Sequence, residues 1–391
     1  MDEPAVSPAG DGPLLPSKGP VVVGIGASAG GLAALKTFFL HTPEKTGLAF
    51  VVVVHLAPGH ESHLADLLQP NAKMPVQQVN ATIPLEPDRI YVIPPGCNLS
   101  AVDTHLRLSD LPAHRGARLP IDHFFSTLAK VHDGASVGIV LTGTGADGTL
   151  GIQEIKANGG IVIVQDPVEA EFDGMPRSAV ATGLADLVLP LKKIPAALLQ
   201  TLRTEPKLPL SEDKLEADGD AERTLRGIFT LLRKWTGRDF SRYKRSTILR
   251  RIQRRMQLQQ MTDLDAYREQ LRDQADEARL LADDLLVTVS SFFRDPAIFE
   301  KLQTDIIPRI FDDKQAEDDV RVWSVGCATG EEAYSLAILF REEAGRHAPS
   351  PALQIFATDL HPISLQHARE GRYLVGEIEP VVSPERIAGP E

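Results

Sequence analysis

Cysteine is almost missing from this 391-residue chain: Cys97 and Cys327 are the only two. They lie in segments that read as separate domains, so a disulfide framework is excluded and a reducing compartment is implied. No His, Cys, Asp or Glu spacing matches a metal centre, and no metal is expected. Positive charge is also in short supply. There are 41 Lys and Arg against 53 Asp and Glu, a net charge of −12, which argues against nucleic-acid binding by the chain as a whole. Apolar runs are strand-sized and far short of the roughly 20 residues a membrane span needs, so no membrane insertion is expected. Met1 to Pro20 is rich in Pro, Gly and Asp. It has neither the basic start nor the apolar centre of a signal peptide, and 1–19 reads as a disordered tail on a cytoplasmic protein.

What the chain does have is alternation. Strand-like runs at Val21–Val23, Phe50–Val54, Ile90–Ile93, Val137–Leu141 and Ile161–Val164 are interleaved with helical patterns at Leu32–Phe39, Ile121–His132 and Thr149–Ala157. That pattern predicts an α/β domain with a doubly wound parallel sheet over 20–198. Pro, Lys, Glu and Asp then dominate a linker over 199–222. Strand character disappears over 223–300, predicting a small all-α domain with a basic middle. Alternation returns with Val320–Val325, Glu331–Phe340 and Leu353–Ala357, the start of a second α/β domain over 301–391.

The most telling stretch is Gly24-Ile25-Gly26-Ala27-Ser28-Ala29-Gly30-Gly31, a strand followed by a glycine turn and a helix. Such a turn presents backbone N–H groups where negative charge is favoured. One reading is a dinucleotide fingerprint, but that motif wants an acid at the end of the next strand and here His55 stands there. A second is the Gly-x-Ser-x-Gly nucleophile elbow, although the order Ser28, His55, Asp147 differs from the α/β-hydrolase order. A third keeps the triad and changes the scaffold. Ser28, His55 and Asp147 each follow the carboxyl end of a predicted strand, and in an open parallel sheet those ends face one crevice. His55 would take the Ser28 proton and Asp147 would hold the imidazole. Taken singly, each has an ordinary role: Ser a helix cap, His a hydrogen-bonded structural residue, Asp an Asx-turn.

Several stretches together resemble the catalytic domain of CheB-type protein-glutamate methylesterases/glutaminases of chemotaxis. They are Gly24–Gly31, Val52–Gly59 (VVVHLAPG), Ile90–Gly96 (IYVIPPG), Pro120–Leu128 (PIDHFFSTL), Leu141–Gly151 (LTGTGADGTLG) and Gly174–Arg177 (GMPR). The resemblance implies Ser28 as nucleophile, His55 as base and Asp147 as its orienter. It also implies oxyanion donors at the backbone N–H groups of Ala29 and Thr144, and no cofactor. His60, His63, His114, His123 and His132 match no catalytic position. Arg177 suits either an acidic substrate or a surface ion pair.

In the second half, Val322-Trp323-Ser324-Val325-Gly326-Cys327-Ala328-Thr329-Gly330-Glu331-Glu332 is again strand, glycine turn and helix, and here the following strand does end in an acid, Asp359. That suits a ribose-bearing cofactor, S-adenosylmethionine better than NAD. From Leu225 to about Arg386 the chain resembles CheR-type protein-glutamate O-methyltransferases through Thr288–Asp295 (TVSSFFRD), Arg321–Ser335 (RVWSVGCATGEEAYS) and Ile355–Leu360 (IFATDL). This implies S-adenosylmethionine, with Ser291 and Arg294 near the methionine carboxylate, Glu331 or Glu332 near its amino group, and Asp359 on the ribose. It also implies a helical domain that docks acidic receptor helices. Ile248, Ile252 and Met256 would line its inner face and Arg250, Arg251, Arg254 and Arg255 its docking face. Few residues follow Asp359, so the cofactor domain is expected to be incomplete and its methylation impaired. No phosphoacceptor receiver domain fits before Val21.

The chain is therefore expected to be a serine hydrolase that demethylates glutamate methyl esters, and deamidates glutamines, on methyl-accepting chemoreceptor-like proteins. A sensor kinase would act downstream. The alternatives are an NAD-dependent oxidoreductase and a docking protein with a vestigial triad.

Overall fold

The computed structural model describes residues 20–55, 62–110, 119–132, 136–206, 219–286, 290–312 and 317–373, with a few isolated positions near these segments. The expected tail 1–19, residues 209–218 of the expected linker, His60, His114, Thr288 and Val289 lie outside the described residues. The chain divides into two compact units, the first extending to Ala278 and the second running on from Arg279. The helical segment up to Ala278 falls in the same unit as the α/β segment.

The first unit begins β1 (Val21–Ala27), α1 (Gly31–Leu40), β2 (Leu48–Val54), α2 (Leu64–Leu68), β3 (Val76–Gln78), β4 (Ile83–Pro84) and β5 (Arg89–Val92). It continues with β6 (Cys97–Val102), β7 (His105–Asp110), α3 (Pro120–Val131), β8 (Ser136–Val140), α4 (Thr149–Ala157), β9 (Ile161–Gln165), α5 (Gly174–Ala181), β10 (Leu187–Leu189) and α6 (Ile194–Arg203). Seven strands form one parallel sheet in the order β10-β9-β8-β1-β2-β5-β3. The central strands β1, β2, β8 and β9 are apolar but for Ser136 and Gln165 at the ends of β8 and β9, and almost wholly buried, as a sheet covered on both faces requires.

The winding direction reverses at the centre. The crossover through α1 carries the chain from β1 to β2, and the one through α4 carries it from β8 to β9 in the opposite sense. Right-handed crossovers then leave a crevice at the carboxyl ends of the adjacent strands β1 and β8. Phe38 and Phe39 of α1 meet Phe50 of β2 edge-on, with ring centroids 5.8–6.1 Å apart, an arrangement aromatic quadrupoles favour. On β1, a Cβ at Gly26 would stand 2.5 Å from Ile121 Cγ2. Only glycine there lets the start of α3 lie against the strand. The sequence reading missed the antiparallel sheet β4-β7-β6.

The helical part of this unit holds α7 (Gly219–Thr236), α8 (Arg245–Leu258) and α9 (Leu264–Asp273). α10 (Ala275–Leu286) spans the division between the units.

The second unit holds α11 (Pro296–Lys301), α12 (Ile307–Phe311), β11 (Asp319–Val325), α13 (Glu331–Ala344), β12 (Ala352–Thr358) and α14 (Pro362–Glu370). Its two strands pair in parallel from Asp319↔Ala352 to Val325↔Thr358. Phe292, Phe293, Ile307, Phe311, Val320, Leu339 and Phe340 make its core. Trp323 and Phe356, paired across the two strands, remain 66% and 52% exposed.

Candidate active site

The loops after β1, β2 and β8 bring Ser28, His55 and Asp147 together. Ser28 Oγ lies 3.0 Å from His55 Nδ1, and His55 Nε2 lies 2.9 Å from Asp147 Oδ2. The imidazole is turned relative to the serine-protease arrangement, in which Nε2 faces the serine. With Nε2 carrying the proton that Asp147 accepts, Nδ1 is the acceptor for the Ser28 hydroxyl. His55 follows β2 directly, so the strand end carries an imidazole where a dinucleotide fold would have an acid for the ribose.

Asp147 is 3% exposed and is held by the first turn of α3. Its Oδ2 accepts from Ile121 N at 3.0 Å and its Oδ1 from Asp122 N at 2.9 Å. A helix N-terminus is where a buried carboxylate is best stabilised, because its first N–H groups have no partner within the helix. The serine turn is tied to the end of β8 in turn. Ser28 N donates to Thr142 O at 3.0 Å, and Thr142 Oγ1 donates to Ala29 O at 3.2 Å. Gln165 Oε1 at the end of β9 accepts from Thr142 N at 2.9 Å. A Cβ at Gly143 would stand 2.2 Å from Met175 Sδ and 2.9 Å from Ser28 Cβ. Glycine is therefore needed for this loop to approach the nucleophile.

Among the described residues the N–H groups of Ala29 and Thr144 have no protein acceptor, whereas those of Ser28 and Gly143 are occupied by Thr142 O and Phe172 O. Arg177 pairs with Asp173 one turn earlier on an exposed surface. His123 Nε2 bonds Ser100 Oγ at 2.8 Å, and burial holds the pKa values of both His123 and His132 below the usual histidine range.

The sequence reading missed Asp122. It is 6% exposed, and its Oδ1 accepts from Gly151 N at 2.6 Å in the first turn of α4. Burial, and next the charge of Asp147 beside it, push its carboxyl well above the usual carboxylate range. Its place within Pro120–Leu128 offered only an ordinary acid in a helix's first turn.

The basic helix is corrected by the structure. Arg251, Arg254 and Arg255 of α8 are 5%, 1% and 6% exposed, so they do not form an open docking face. Arg251 donates to the carbonyls of Lys156 and Ala157 at the end of α4, where the negative pole of the helix dipole lies. Arg254 Nε donates to Gly160 O at 2.8 Å, and its guanidinium pairs with Asp186. Arg255 forks onto Glu277, with Nε–Oε1 at 2.9 Å and a second bond at 2.5 Å to Oε2, and Tyr267 OH also donates to Glu277. Arg250 is half-buried.

In the second unit, Gly326 (φ 78°), Ala328 (φ 47°) and Gly330 (φ 105°) shape the turn between β11 and α13. Asp359, at the end of β12, accepts from Ala328 N at 2.8 Å and His361 N at 2.7 Å. A carboxylate has about four acceptor positions, so two remain for further donors. Glu331 is buried and accepts from Thr329 Oγ1, and Glu332 accepts from Ser324 Oγ at 2.8 Å. Ser291 and Arg294 are exposed. Burial, followed by the charge of Asp359, raises the Cys327 thiol above its ordinary range, so it is no ready nucleophile.

Comparison with known proteins finds three family models matching successive stretches of the chain. The family model described as CheB methylesterase matches residues 23–198. Those described as the all-alpha domain and the SAM binding domain of CheR methyltransferase match residues 223–286 and 288–387. A protein of Rhodobacter capsulatus called "Uncharacterized 104.1 kDa protein in hypE 3'region" is 38% identical over 79% of this chain and 34% of its own length. A putative protein-glutamate methylesterase/protein-glutamine glutaminase of Leptospira interrogans is 33% identical over 44% of this chain and 89% of its own. The protein-glutamate methylesterase/protein-glutamine glutaminase of Pyrococcus horikoshii is 34% identical over 49% of the chain and 52% of its own. A solved structure, the Thermotoga maritima CheB methylesterase catalytic domain, is 31% identical, covering 46% of this chain and 97% of that one with a TM-score of 0.43. The chain spans 34% and 52% of the length of the first curated relatives it matches. Among the described residues, no helix is long and apolar enough to cross a membrane.

Proposed function

The chain belongs to the CheB methylesterase family, and from that premise we propose that residues 20–198 hydrolyse the methyl esters of glutamate side chains on chemoreceptor-like signalling proteins. One observation carries the reading: the continuous chain Ser28 Oγ, His55 Nδ1, His55 Nε2, Asp147 Oδ2, with contacts of 3.0 and 2.9 Å. His55 Nδ1 takes the Ser28 proton as Oγ attacks the ester carbonyl carbon. The oxyanion so formed accepts from the N–H groups of Ala29 and Thr144. The proton then passes from His55 to the departing methoxide, releasing methanol and leaving the glutamyl group on Ser28. Water attacks this acyl-enzyme, its proton going to His55 and then to Ser28 Oγ as the glutamate carboxylate leaves. A glutamine side chain would follow the same course, with ammonia leaving.

The test is methanol release from a methyl-esterified receptor peptide, with a fluorophosphonate probe to locate the nucleophile by mass spectrometry. Methanol release together with labelling of Ser28 is the expected result. A folded protein that releases no methanol and takes no label would overturn the reading, and leave a docking protein with a vestigial triad.

For the second unit we propose S-adenosylmethionine as ligand, resting on the match to the SAM binding domain model and on the acid that ends β12. The cofactor would supply an electrophilic methyl group for the reverse modification. Asp359 would take the ribose hydroxyls, Glu331 or Glu332 the amino group, and Ser291 and Arg294 the carboxylate. Calorimetric titration with S-adenosylmethionine is expected to give a heat of binding that Asp359→Ala weakens at least about tenfold, the loss of one or two charge-assisted hydrogen bonds. Equal affinity in the two proteins would remove Asp359 from the site.

A further inference from the structure

The hydrolase centre contains a second carboxyl that the mechanism above does not use. Asp122 sits beside Asp147, and each is nearly inaccessible to water at 6% and 3% exposure. The groups facing Asp122 are the Asp147 carboxylate and the N–H groups of Gly148 and Gly151 at the start of α4. Two adjacent carboxylates away from water cannot both stay ionised. Asp147 accepts two main-chain N–H groups from α3 and the Nε2 proton of His55. Burial first, and then the charge of Asp147, disfavour ionisation of Asp122.

Asp122 also joins the elements that carry the site. Its own N–H holds Asp147 Oδ1, and its Oδ1 holds the first turn of α4 at Gly151. The loop between β8 and α4 bears both Asp147 and the N–H of Thr144. A shift of α4 relative to α3 would therefore move orienter and oxyanion donor together. We propose that Asp122 is a positioning residue of the hydrolase, whose main-chain N–H on Asp147 and side-chain carboxyl on Gly151 pin the loop carrying Asp147 to α3. The inference rests on the hydrolase reading given above.

The test compares three proteins in methanol release, with folding checked by thermal melting. Asp122→Asn keeps a side-chain oxygen that accepts from Gly151 at the same reach. Asp122→Ser, one bond shorter, draws the acceptor back from Gly151 and leaves α4 untied from α3. Asn is expected to keep kcat within about threefold of wild type. Ser is expected to fold yet lose about 10–100-fold in kcat with KM little changed, the size of effect that slight misplacement of a catalytic group produces. The downfield proton resonance of the His55–Asp147 bond should persist in Asp122→Asn and shift in Asp122→Ser, which general loosening of the fold would not reproduce selectively. Wild-type activity in Asp122→Ser, or equal impairment in both variants, would overturn the positioning role. An inactive wild-type protein would instead count against the hydrolase reading itself.

Discussion

Ser28→Ala is expected to lower kcat for methyl-ester hydrolysis by about 10⁶-fold, and Asp147→Asn by about 10⁴-fold, the losses that removing a triad nucleophile and orienter cause in hydrolases of this type. The two losses have different origins. Removing Ser28 Oγ leaves no atom to carry the acyl group. Asn at 147 keeps the shape but has one acceptor oxygen where the site needs two. Ile121 N and His55 Nε2 converge on Oδ2, and Asp122 N points at Oδ1. Whichever way the amide turns, its N–H₂ meets a donor. If it faces His55, the imidazole proton moves to Nδ1 and the base can no longer accept from Ser28. Because both residues serve one proton transfer, the double variant should be no slower than Ser28→Ala alone. Methanol release measured over several hours resolves these differences. A Ser28→Ala protein as fast as wild type would refute the assignment.

The triad was legible because each member follows a run of apolar residues. Val21–Ala27, Leu48–Val54 and Ser136–Val140 are strands; Ser28 and His55 directly follow the first two, and Asp147 stands in the glycine-rich loop that follows the third. The strand order was not legible, yet the order β8-β1-β2 is what sets those three ends side by side. Pairing between strands more than a hundred residues apart leaves no local pattern. Asp122 escaped for a related reason, since its significance lies in Asp147 and Gly151, 25 and 29 residues away. The arginines of α8 show the opposite error. Periodicity put Ile248, Ile252 and Met256 inside and assigned the guanidinium groups to solvent, the ordinary outcome for an amphipathic helix. The helix is instead buried on the arginine side too, because carbonyls at the end of α4 and the Asp186 carboxylate await them. Those partners lie some ninety residues upstream for the carbonyls and 68 for Asp186.

That buried cluster leads to the second large effect. Asp186 Oδ1 receives Lys156 Nζ at 2.6 Å as well as the Arg254 guanidinium, while its Oδ2 accepts from Val162 N at 2.8 Å. The side chains of Lys156, Arg254 and Asp186 are 6%, 2% and 1% exposed. Two cations thus meet one anion out of reach of water. Asp186→Ala would take this carboxylate from both, and breaking a buried ion pair by removing one partner costs about 3–5 kcal/mol. For a unit of this size that corresponds to a fall in melting temperature of roughly 10 °C. Arg254→Met removes one cation and leaves the Lys156–Asp186 pair intact, with the methionine filling much of the same space. It should cost clearly less, because replacing a buried charge by apolar volume is often nearly neutral where the remaining ions stay paired. Differential scanning calorimetry of the two variants tests the order. If Arg254→Met proved the more damaging, the carbonyl of Gly160 and the packing of α8 against α4 would be holding this part of the unit, and the charge on Asp186 would be secondary.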